Sequence, residues 1–66
     1  MITVLKHEKW GKVFEGMYDV RRNGNPWLTV GEKRDYSLYV AWSVPYPTFV
    51  SENDWKVIQE KVSQLN

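Results

Sequence analysis

Glu15 and Asp19 stand four residues apart, and paired carboxylates can do general acid–base work. On a strand that spacing puts both on one face about 13 Å apart, beyond the roughly 5–9.5 Å of either glycosidase geometry. His7 is the one histidine, and it reads as a surface strand residue with no base or nucleophile beside it. The absence of cysteine excludes disulfides and Cys-based zinc sites, and a single histidine excludes a His-rich metal site. Neither a G-x-G-x-x-G stretch nor a P-loop occurs. The expectation is a protein that is not an enzyme and takes no cofactor and no metal.

The residues left with something to do are suited to recognition. Arg21, Arg22 and Asn25 surround an Asn23-Gly24 turn, and Lys33 and Arg34 follow in the next loop. Arg and Asn on a hairpin tip could reach phosphates and base edges. The plainer reading is that turns are polar and Asn-Gly serves its backbone. In a meander these two basic clusters also lie at opposite ends of one strand, so they would not form one patch.

Aromatic side chains are the second constellation. Four Trp, four Tyr and two Phe occupy a 66-residue chain. A core this small is not expected to enclose ten rings, so several should sit at the surface. Trp10, Trp27 and Tyr39 are expected there, with Tyr18 and Tyr46 in the same aromatic surplus. Trp42 and Trp55 are expected in the core. Exposed rings could stack unpaired bases or act as hot spots for a protein partner.

The elements that position these residues are legible in outline. Ser51 is a good N-cap with Asp54 at the third helical position, a capping-box variant, and Val50 and Trp55 make a hydrophobic staple. Trp55, Ile58, Val62 and Leu65 form one stripe, so a helix is predicted over 52–65. Its 3-4-3 spacing would also suit a seam between two copies. Tyr36, Leu38, Val40, Trp42 and Val44 alternate with small or polar residues, which predicts a central strand over 35–44 ended by Pro45 and Pro47. The Asn23-Gly24 turn predicts a hairpin of 12–22 with 26–30, in which Val20 faces Trp27 and Tyr18 faces Thr29. A first strand is predicted over 2–9, with Gly11 marking a bulge or turn. The expected fold is α+β, a three- or four-stranded antiparallel meander packed by one C-terminal helix. The helix stripe is expected on Leu38, Val40 and Trp42.

Length and charge bound the rest. A single domain over 1–66 has a core worth only about 3–5 kcal/mol, so a partner or a second copy would help to hold it. Net charge is +1, low for a nucleic-acid binder. Residues 1–34 hold seven Lys/Arg against four Asp/Glu, net +3, and 35–66 hold two against four, net −2. No run approaches the roughly 20 apolar residues that span a bilayer, so no membrane partner is expected, and a cysteine-free chain suits the cytoplasm. The stretch Asn25-Pro26-Trp27-Leu28-Thr29-Val30 resembles the hairpins of phage antirepressor domains over six residues only. The leading expectation is a protein-binding regulatory module, an inhibitor or accessory factor of the kind phage and mobile elements carry, with a protein partner or a homodimer. The alternative is a small nucleic-acid-binding domain that uses the basic hairpin and exposed aromatics. A third reading is a structural subunit of a larger assembly.

Overall fold

Two tight turns set up the sheet. In the computed structural model, which describes residues 1–66, Trp10-Gly11 joins β1 (Ile2–Lys9) to β2 (Lys12–Arg22), and Asn23-Gly24 joins β2 to β3 (Asn25–Glu32). All of these turn residues have positive φ, the backbone that type I′ two-residue hairpins need. β4 (Leu38–Ser43) completes a four-stranded antiparallel sheet in the order β1-β2-β3-β4, and α1 (Glu52–Leu65) follows. The fold is therefore the α+β meander with a C-terminal helix that the sequence implies.

Strand ends differ from the expectation where side chains offer the backbone another partner. β3 runs on through Gly31 and Glu32 rather than stopping at 30. β4 starts at Leu38, not 35, because Asp35 closes a local turn. Its Oδ1 accepts from the Ser37 N–H at 3.1 Å and the Ser37 hydroxyl at 2.6 Å, and Tyr36 between them has φ 68°. Short polar side chains compete with ladder hydrogen bonds in this way.

Three irregularities in register decide which residues face inward. On β2, the pairs Lys6–Tyr18 and Glu8–Val13 enclose one residue of β1 but four of β2, and Gly16 among them has φ 76°. Glu15 and Asp19 are thus not separated by the regular strand that the 13 Å spacing assumed. On β3, Arg21 pairs with Pro26 but Val20 pairs with Leu28, which leaves Trp27 as the extra residue. Val20 therefore faces Leu28 rather than Trp27, and Tyr18 faces Val30 rather than Thr29. On β4, Val30 pairs with Val40 and Thr29 with Trp42, so Ala41 is the extra residue. A bulge of this kind resets the inside–outside alternation beyond it.

The core lies between one sheet face and the helix. Val4, Tyr18, Val20, Trp27, Leu28 and Val30 from the sheet meet Ile58 and Val62 from α1, with Ile2, Leu38, Val50, Trp55 and Leu65 packed around them. The helix begins as predicted: Ser51 Oγ accepts from the Asp54 N–H at 3.2 Å. It lies closest to β1, not over β4. The expected contact with Trp42 fails because the Ala41 bulge turns it to the far face and puts Ser43 into the interior, and Val40, opposite the buried Val30, stays 40% exposed because α1 lies toward β1. Trp42 is 49% exposed, contrary to its expected place in the core.

Candidate functional site

The sheet face away from α1 is open, and the register specifies what stands on it. Leu5 pairs with Asp19, Asp19 with Thr29 and Thr29 with Trp42, so one row crosses all four strands. The row has an apolar residue at each end and two polar residues in the middle. The next row holds Met17, Gly31 and Tyr39. The Tyr39 ring lies against Gly31, where a Cβ would collide with it. On the other side, Thr3 pairs with Arg21 and Arg21 with Pro26. A small groove of about 160 Å³ opens among Asp19, Arg21, Pro26, Thr29 and Trp42.

The polar middle of this face is a connected network. Asp19 Oδ1 accepts from the Thr29 hydroxyl at 3.0 Å and lies 2.9 Å from His7 Nδ1. A carboxylate partner makes Nδ1 the protonated ring nitrogen, which leaves Nε2 of a neutral His7 as an acceptor. His7 also sits 5.3 Å from the Phe14 ring. His7 stands alone in the sequence, and its network is not legible there because it lies opposite the irregular part of β2, where strand pairing cannot be counted from the turn.

A second feature adjoins this face at β4. From Tyr36 to Ser51 the chain has no charged residue. Tyr39, Val40, Trp42, Val44, Tyr46 and Phe49 in that stretch are all exposed, Tyr46 and Phe49 by 88% and 84%. β4, expected to be a central strand, is instead an edge strand, paired with β3 on one side only, because the chain leaves the sheet for α1 after it. A shallow groove of about 300 Å³ runs beside it, lined by Val40, Ala41, Trp42, Ser43 and Tyr46. The uncharged run is visible in the sequence, but its period-two alternation equally fits a strand with one buried face, so its exposure is not.

The expected recognition residues are scattered. Arg21, Arg22 and Asn25 lie at the Asn23-Gly24 end of the sheet, while Lys33 and Arg34 lie in the β3–β4 loop at the opposite end. Arg22 does not reach freely outward: its guanidinium sits 4.4 Å from the centre of the Trp27 ring. Trp27, expected at the surface, is buried because its bulge turns it inward beside Leu28, and its Nε1 donates to Thr48 Oγ1 at 3.3 Å. Tyr18 is buried too, and its hydroxyl donates to Asn66 Oδ1 at 2.6 Å. Burial, reinforced by the nearby Glu32 carboxylate, raises its pKa above the ordinary 10.0. Trp10 is exposed as expected, on the turn with Lys9 Nζ 4.7 Å from its ring centre, and Tyr39 is exposed on the open face. The site that the fold assembles is thus the open face and the β4 edge, and Tyr39 and Trp42 belong to both.

The class this architecture defines is a four-stranded antiparallel meander backed by one helix. No protein-family model, no curated protein and no solved structure matches the chain. No helix is long and apolar enough to cross a membrane.

Proposed function

We propose that this protein is a non-catalytic binding module, a regulatory or accessory factor of the cytoplasm that docks on a protein through its open sheet face and the adjoining β4 segment. The observation that carries this reading is the uncharged run from Tyr36 to Ser51, with Tyr39, Trp42, Tyr46 and Phe49 exposed on it. Aromatic side chains are the residues that supply most energy at protein interfaces, and charged residues are depleted from interface centres. The His7–Asp19–Thr29 network would add a directional polar contact beside them. Nucleic-acid binding is the weaker reading. Its cations stand at opposite ends of the sheet, and Arg22 is engaged with Trp27.

Affinity capture with the purified protein as bait tests the proposal. A specific partner should be retained by wild type and by Arg21→Ala, and lost on Trp42→Ser combined with Phe49→Ser. Alongside it, tryptophan fluorescence is followed while duplex and single-stranded oligonucleotides are added at about 50 and 200 mM salt, where phosphate contacts give a log–log slope near −0.9 per phosphate on duplex. No saturable response is expected. Saturable, salt-sensitive binding that Arg21→Ala weakens would overturn the protein-binding reading in favour of nucleic acid.

A further inference from the structure

We propose that the partner on the β4 edge is a second copy of this chain, joined by antiparallel β4–β4 pairing across a two-fold axis near Ala41. This inference rests on the protein-binding reading and names its occupant.

Three observations point to a copy. First, β4 pairs only with β3, so its outer edge presents backbone N–H and C=O groups that another extended strand can satisfy. A two-fold axis supplies such a strand in antiparallel orientation, which makes the interface isologous. Second, edge strands that stay solitary commonly carry charges that repel a copy. Here Leu38–Val44 has none, and neither does the continuation to Ser51, so pairing brings no like charges together. A partner of strong charge would find nothing complementary on this strip. Third, the area suits a weak dimer. Tyr39, Trp42, Tyr46 and Phe49 alone leave on the order of 500 Å² uncovered per copy, at ~200 Å² per fully exposed aromatic ring. That approaches the low end of specific interfaces, about 600 Å² per partner.

The geometry also limits the strength. Pro45 and Pro47 cannot donate to a ladder, so pairing ends at Val44. The Ala41 bulge interrupts the strand, and a bulge is itself a device that turns edges away. Few backbone rungs can therefore form, and the aromatic strip must carry much of the association. The expected dissociation constant is on the order of 10–100 µM, as for small transient interfaces.

Sedimentation velocity over roughly 1–500 µM spans that range. Wild type should pass from monomer to dimer. Ala41→Lys sets two like charges beside the axis and should weaken association by about tenfold or more. Phe49→Ser should weaken it as well, from a position outside the sheet. Val57→Lys, on the exposed side of α1, should leave it unchanged. Because the chain has no cysteine, Ala41→Cys should form a disulfide-linked dimer under mild oxidation, since directly opposed strand residues lie within disulfide reach. Val57→Cys should not. Circular dichroism on each variant confirms that the fold is retained. A monomer throughout the range, or a dimer that Val57→Lys breaks and Ala41→Lys does not, would overturn self-pairing. Either result would leave the capture of a different protein by the Trp42 and Phe49 surface as a separate question with its own answer.

Discussion

His7 Nδ1 lies 2.9 Å from Asp19 Oδ1, across two strands whose pairing slips immediately beyond this contact. Thr29 donates to the same oxygen from β3, so one carboxylate ties three strands together. Asp19→Ala removes the shared acceptor from two partly buried donors. Each net hydrogen bond contributes about 0.5–1.5 kcal/mol. The expected loss is about 1–2 kcal/mol, a fall in Tm on the order of 4–16 °C for a domain of this size. Thermal unfolding followed by circular dichroism measures it. Nitrogen chemical shifts of His7 should report the Nδ1–H tautomer in wild type, and the preference should vanish in the variant.

Trp27 and Trp10 should respond oppositely to truncation. Trp27 is 2% exposed and packs between Arg22 and the core, whereas Trp10 is 91% exposed on its turn. Replacing a buried Trp by Ala typically costs about 3–5 kcal/mol, comparable to the whole stability of so small a domain. Trp27→Ala should therefore leave most of the chain unfolded at 25 °C in urea-denaturation experiments. Trp10→Ala should shift the urea midpoint little, within about 0.5 kcal/mol of wild type. A folded Trp27→Ala protein with a native-like midpoint would contradict the packing.

Tyr18 predicts a decline of stability in alkali. Its hydroxyl has a raised pKa in the fold because burial, then the Glu32 carboxylate, disfavours the phenolate. A raised folded-state pKa means that the folded form holds the proton more tightly. Its contribution is complete below the ordinary value of 10.0 and is lost as pH rises from there through the folded value. Other tyrosines titrate in the same region, so the comparison is with Tyr18→Phe. The stability difference between the two proteins should be constant from pH 7 to about 9 and should shift against wild type above about 10. A difference independent of pH up to 11 would rule out the burial of this hydroxyl.

Ser51 caps α1 through Asp54, and Glu52 and Asp54 place negative charge at the helix N-terminus. Ser51→Ala should cost about 1 kcal/mol and Ser51→Asp should cost little, because either oxygen accepts the orphan N–H. Amide exchange of Asp54 should accelerate in the alanine variant alone.

Much of this fold was legible because its signals are local. The Asn23-Gly24 turn, the Ser51 cap, the Trp55-Ile58-Val62-Leu65 stripe and the prolines after β4 each depend on residues near one another in the chain. They determined the order of the elements and the class, and left the sheet at three or four strands, of which the structure has four. The inward or outward direction of Trp27, Trp42 and the surroundings of His7 was not legible. Each depends on one strand carrying more residues than its neighbour, at Trp27, at Ala41 and around Gly16. A side-chain alternation of period two changes phase at every such insertion. The insertion is chosen by hydrogen bonding and packing between strands, which no local pattern contains. The sequence by itself thus determined that this is a helix-backed meander with more aromatic surface than its core can hold. Only the tertiary structure decided which aromatics those are, because burial follows the register of the whole sheet.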